Sequence, residues 1–274
     1  MTTSKSLLIL LFILTTQSIN AQSPTFFATG GFPFIGTYQN NGFVPDKSFQ
    51  PTVINSRFKK NMPLHTISKD GKMLQLSIEQ VNTENIGDIG IDAPIQYIDQ
   101  KSPLLEWSST IKIKSFAPTI APVSPQIEAE IRALISAQYD VIQQKVKQKM
   151  STSDTSQSWQ KHWNLVLETI QQARGNIQLE GFQIQEELDK VFVLVNKSIF
   201  IYSKKEGHIT YNPFDILIAY DSLSSTEAIP ILYFKIEGNP DLFILCDAFD
   251  GYDGSYRFIL NAATGKPAIY STTI

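Results

Sequence analysis

Three carboxylates, Asp247, Asp250 and Asp253, recur at intervals of three residues in the stretch CDAFDGYDGSY. A Gly-containing turn with several carboxylates offers the hard oxygen ligands that Ca²⁺ takes, so these three are the candidate metal ligands. The spacing is not that of an EF-hand, which needs D-x-D-x-D-G and a Glu at its twelfth position. Asp-Gly pairs are also ordinary hairpin chemistry, because Asp tolerates the left-handed region and Gly supplies positive φ. The adjacent Cys246 is the single cysteine. A reactive thiolate needs an electropositive, partly exposed setting. The apolar neighbours in LFILCDAF and the charge of Asp247 read instead as a buried, inert thiol. No catalytic residue is assigned, and apart from Ca²⁺ nothing in the sequence asks for a cofactor.

The other residues able to do chemistry are scattered. His65, His162 and His208 stand alone in sequence, with no HxH or HxxxH pair and no C-x-x-C, so a zinc site would need ligands from three distant segments. His162 lies in WQKHW, where Trp159 and Trp163 share a helical face and read as core anchors. Glu84, Asp88 and Asp92 have helical spacing in NTENIGDIGID, but Gly87 and Gly90 favour a polar loop. Gly30-Gly31 has no following helix to make it a phosphate cradle, so it reads as a turn. No G-x-S-x-G, S-x-x-K or P-loop is present, although catalytic carboxylates need not be close in sequence. Asn196-Lys197-Ser198 is a glycosylation sequon in an expected exposed turn.

The chain opens MTTSKSLLILLFILTTQSINAQ. One lysine, a short apolar run and a small residue at Ala21 make the pattern of a secretory leader, cleaved near Ala21. Export to the periplasm or exterior is the expectation, and no later segment reaches transmembrane length. Of 274 residues, 42% are hydrophobic and 18% charged, with a net charge of -3. That composition supports a sizeable core and argues against nucleic acid as a partner. A single cysteine forms no intramolecular disulfide, so the core must carry the stability.

Around these residues the elements divide the chain into a leader (1–21), a β-rich region (22–116), a proline-rich linker (117–125) and an α+β domain (126–274). Alternation predicts strands near Phe34–Tyr38 before the Asn-Asn-Gly turn, over Thr52–Phe58, over Met73–Val81 after a turn at Ser68–Gly71, and over Leu104–Phe116. Pro118, Pro122 and Pro125 impose an extended backbone. Ser124 and Pro125 then start a helix to about Met150, striped by Ile127, Ile131, Leu134, Ile135, Tyr139, Ile142 and Val146. A second helix is expected over 156–175, making an αα-hairpin.

Beyond Gly175 the period turns strand-like in NIQLEGFQI, in VFVLV-NKS-IFIYS as a hairpin, in Phe214–Tyr220, and in four closing runs from Ile229 to Ile274. The ending GSYRFILNAATGKPAIYS resembles the strand, turn and strand that close PepSY-type domains, a likeness confined to that stretch that implies a final hairpin and no function. The expected fold is α+β, with an αα-hairpin on one face of a largely antiparallel meander. The expected function is a non-enzymatic binding or interaction protein for an unknown protein or small-molecule ligand. The alternatives are an exported hydrolase with dispersed acids, Ca²⁺-assisted, and a structural surface component.

Overall fold

The structure, a computed structural model, describes residues 25–27, 35–39, 42–46, 51–67, 73–81, 95–97, 105–107, 112–152, 177–213, 227–249 and 255–270, with isolated residues between 161 and 172. In chain order the elements are β1 (Thr25–Phe27), β2 (Gly36–Gln39), β3 (Gly42–Pro45), α1 (Pro51–Arg57), β4 (Pro63–Ile67), β5 (Met73–Val81), β6 (Ile95–Tyr97), β7 (Leu105–Trp107), β8 (Ile113–Phe116) and β9 (Thr119–Ile120). After α2 (Pro125–Thr152) come β10 (Leu179–Gln183), β11 (Lys190–Val195), β12 (Ser198–Ser203), β13 (His208–Tyr211), β14 (Glu227–Ile236), β15 (Leu242–Phe249), β16 (Ser255–Asn261) and β17 (Lys266–Tyr270).

These strands form three sheets: an N-terminal sheet ordered β3-β2-β1-β7-β4-β5-β6, a central sheet ordered β17-β16-β15-β14-β8, and a helix-covered sheet ordered β13-β12-β11-β10-β9. The layers follow from where alternate side chains go. On β11 and β12, Val191, Val193, Val195, Phe200 and Tyr202 meet Ile127, Ile131 and Ile135 of α2. Their alternates Phe192, Ile199 and Ile201 meet Tyr233, Leu242, Ile244, Cys246 and Phe258 of the central sheet. The other face of the central sheet, with Phe234, Phe243, Leu245 and Ile259, packs on Phe26, Ile67 and Leu105 of the N-terminal sheet. That sheet in turn buries Leu64 and Ile78 under Ile54 of α1 and Phe58 just past its end.

This order corrects the expected α+β architecture. The chain is mostly β, with 46% strand in three sheets, and no αα-hairpin packed on a sheet is present among the described residues. The physical reason lies in the strands: all six residues of SIFIYS in β12 are buried, and a strand buried on both sides needs a cover on each. One cover is α2 and the other is a second sheet. Most of the second expected helix lies outside the described residues, and Leu165 within it is 61% exposed.

Two further expectations change. Thr52–Phe58 is not a strand: Pro51 takes the first helical position of α1, and Ile54 and Phe58, four apart, bury together. The single strand expected over Leu104–Phe116 is two, with β7 in the N-terminal sheet and β8 in the central one. The helix from Pro125 begins as its sequence indicates, with the Ile127 amide donating to Ser124 Oγ at 3.4 Å. The closing meander β14 to β17 also forms as expected. The expected Phe214–Tyr220 strand and the Asn-Gly and Ser68–Gly71 turns lie outside the described residues, apart from Gly42, which opens β3.

The proline segment passes between two sheets. Ser115 and Phe116 pair with Phe234 and Tyr233 of β14, and three residues on, Thr119 and Ile120 pair with Gln183 and Phe182 of β10. This strap lies against β10 so closely that a Cβ on Gly181 would stand 2.3 Å from the Ala121 carbonyl oxygen. Gly181→Ala must therefore push the strap out of register, and denaturant unfolding should show a loss of about 2–3 kcal/mol.

The β11–β12 hairpin turns through Asn196 and Lys197 at φ 48 and 78, the two-residue type I′ geometry. Lysine in that region carries about 1–2 kcal/mol of strain. Lys197→Gly relieves it at an entropic cost of about 0.5–1 kcal/mol, so the variant should melt a few degrees higher than the parent.

Candidate functional site

A cleft of about 1140 Å³ opens where the strap crosses between the two sheets. Its walls are Phe116 and the strap, Leu179–Phe182 of β10 with Leu194 of β11, and Pro230–Tyr233 of β14; Glu128 and Arg132 of α2 stand at its mouth. The lining is largely aliphatic and aromatic. Glu128 and Arg132 pair with each other at 2.8 Å, one helical turn apart as i,i+4 partners are. The cleft's exposed lip is Ile120, 98% accessible on its two-residue strand.

The geometry of β14 decides what faces this space. The ladder with β15 shifts register between Pro230 and Leu232, a β-bulge that transfers the inward position from one parity to the other. Ala228 faces the helix-covered sheet before the bulge and Tyr233 does so after it. Tyr233 is 6% exposed and meets the rings of Phe182 at 5.6 Å and Phe192 at 6.1 Å, both edge-on. Burial raises its hydroxyl pKa far above the ordinary tyrosine value, and the neighbouring Cys246 raises it further. No hydrogen bond from a described residue reaches that hydroxyl.

The edges beside the cleft are closed to further strands. Strand β8 covers β14 only over Tyr233–Ile236. Beyond it, the Ala228 amide donates to Ser198 Oγ at 3.2 Å, and Pro230 has no N–H to offer.

The residues singled out by sequence do not meet here. Asp247 lies on β15 between Ile229 and Arg257 in the ladder; Asp250 and Asp253 lie outside the described residues, as do His162 and the Glu84–Asp92 segment. His65 sits on β4 and His208 on β13, in sheets separated by the central one. Among the described residues no group of three His, Cys, Asp or Glu side chains is placed to hold a metal ion. Sequence reasoning missed Tyr233, Gly181 and Arg132. The available signal was Pro230 inside a strand run, which marks an edge or a bulge.

Among the described residues no helix is long and apolar enough to cross a membrane. No family model, curated protein or solved structure matches the chain.

Cys246 is completely buried in the sandwich interior, and burial first, then the charge of Asp247, raises its pKa. Cys246 and Tyr233 thus both hold their protons in the fold and release them near 9.0 and 10.0 when unfolded. Their contribution to stability is complete below the lower of those values and is lost as pH rises beyond each. Stability should fall above pH 9 by about 1.4 kcal/mol per pH unit for each titrating group. Cys246→Ala should delay the onset by about one pH unit, a shift read from urea midpoints between pH 8 and 11.

Proposed function

We propose that the chain is an exported, non-enzymatic binding protein whose ligand seat is the cleft between the central and helix-covered sheets. The observation that carries this reading is a space of about 1140 Å³, lined mainly by apolar side chains, at an edge whose backbone donors are already taken or absent. A volume of this size, walled by aromatic and aliphatic side chains with few polar groups, suits a small organic molecule. The leader-like N-terminus supports action outside the cytoplasm.

The cleft's acids do not favour acid–base chemistry. Glu128 is held by Arg132, and Glu180 is exposed at the wall. Neither is paired with a second carboxylate, histidine or nucleophile among the described lining residues.

The neutral fluorophore N-phenyl-1-naphthylamine should bind saturably at one site with micromolar Kd and a blue-shifted emission. Leu194→Trp fills the cleft from β11 and should weaken that binding at least tenfold while leaving the melting temperature within a few degrees. Non-saturable binding, or an unchanged Kd in the folded variant, would remove the cleft as the ligand seat.

A further inference from the structure

One wall of the cleft carries a tyrosine, Tyr233. Tyr233 is a core residue by burial, at 6% exposure, and its ring is fixed on two sides by Phe182 and Phe192, themselves stacked at 5.5 Å. Its hydroxyl nonetheless has no hydrogen bond among the described residues, and the residue lines the cleft. The oxygen is not among the fully enclosed, unpartnered polar atoms of the described residues, so it opens to the cleft, where its partner is water or a ligand. Phenylalanine would make the same ring contacts, so what the oxygen adds is a hydrogen-bond donor on the cleft wall.

The geometry points to a ligand that is neutral, mainly apolar and equipped with a carbonyl acceptor, which the Tyr233 hydroxyl engages from the cleft wall. This rests on the cleft being the ligand seat and specifies what fills it. A phenol is a better donor than acceptor, because its lone pair is delocalised into the ring. Burial holds the proton on the oxygen, so the group is available to donate at any physiological pH.

The ligand is neutral because the charges at the mouth leave nothing for a charged head: Arg132 is already matched by Glu128 at 2.8 Å, and no second cation is among the described lining residues. It is a small molecule rather than a peptide strand because an added strand needs a row of free backbone donors. On the uncovered half of β14, Pro230 has none and Ala228 gives its own to Ser198. The aromatic trio beside the hydroxyl favours a flat, unsaturated body next to the carbonyl.

A matched pair of probes tests this: 2-acetylnaphthalene and 2-ethylnaphthalene differ by a carbonyl in place of a methylene. Each is titrated against full-length protein carrying N-phenyl-1-naphthylamine as reporter. For the parent and Tyr233→Phe, the expected result is about a tenfold loss of affinity for the acetyl compound in the variant, with the ethyl compound within twofold. The carbonyl stretch of bound 2-acetylnaphthalene should shift to lower wavenumber in the parent and return in the variant, which should melt no lower than the parent.

If both probes displace the reporter and Tyr233→Phe treats them alike, or the carbonyl stretch in the parent is unshifted, the carbonyl assignment is overturned and the cleft stands. If the reporter itself shows no saturable site, the cleft reading falls and this assignment with it. A Tyr233→Phe variant that is clearly less stable shows the hydroxyl bonded within the protein and overturns the assignment. The carbonyl stretch in the parent tests the same hydrogen bond without any variant.

Discussion

A strand whose two faces are both covered has no side chain that can reach water, so every position must be apolar or satisfied internally. The central sheet is under that constraint. Leu242, Ile244 and Cys246 of β15 face the helix-covered sheet, while Phe243 and Leu245 face the N-terminal one. Each of these five is at most 2% exposed. Among the described residues no core cluster joins the two outer sheets directly, and each packs on this one, so the order of layers follows from the closing meander. At the end of the meander the buried Asn261 is bonded: its Nδ2 donates to Asp241 Oδ2 at 3.0 Å, and its Oδ1 accepts from the Ala263 and Thr264 amides. Asn239 donates to the Tyr38 hydroxyl, tying the β14–β15 turn to β2 of the N-terminal sheet.

Stacked sheets leave open edges, and the described edges are managed by different means. The Ile209 amide of β13 donates to Glu130 Oε1 of α2 at 2.7 Å, so the helix caps one border of its own sheet. At the opposite border the strap joins two sheets within a few residues, possible only because Gly181 lets it approach. Beyond the strap, Pro230 and Ser198 remove the donors a stray strand would use. The cleft is what remains where the sheets diverge at a border that must not recruit another chain. The ligand seat we propose there, closed to strands and open to compact apolar molecules, is in keeping with that protection.

Local signals carried much of this fold. Ser124-Pro125 and the isoleucine stripe set α2, the Asn196-Lys197 turn set a hairpin, and the punctuation from Ile229 onward marked four strands that form. Sequence misled where tertiary context decides. Thr52–Phe58 alternates well enough to read as a strand, yet Ile54 and Phe58 meet as helical neighbours over Leu64 and Ile78. The unbroken apolar runs in β11, β12 and β15 signalled two-sided burial, but periodicity does not say whether the second cover is a helix or a sheet. The site was least legible. Its walls come from segments around 116–123, 179–194 and 230–233, and Tyr233 has its orientation from a bulge that no residue pattern of β14 fixes by itself. Acidic spacing drew attention to Asp247, which the ladder places on a strand rather than at the cleft.

The cleft's lower lip is held from both ends. Lys114 of β8 stands directly opposite Lys235 of β14, an arrangement of like charges that destabilises a ladder when left alone. Two glutamates from the β10–β11 connection resolve it: Glu187 meets Lys235 at 2.8 Å and Glu186 meets Lys114 at 3.0 Å. The Lys114 hydrogen bond and charge hold the Glu186 carboxyl below its usual pKa. Lys114 also lies 4.9 Å from the centre of the Phe116 ring, one of the cleft's own walls. The two sheets are thus clasped by ion pairs on one side of Phe116 and by the proline strap on the other. Prolines with fixed φ and a ring held under a cation leave this wall little freedom to lose, so the proposed ligand would meet a largely preformed surface. In that proposal the remaining entropic cost would fall on the ligand and on the exposed Ile120 lip.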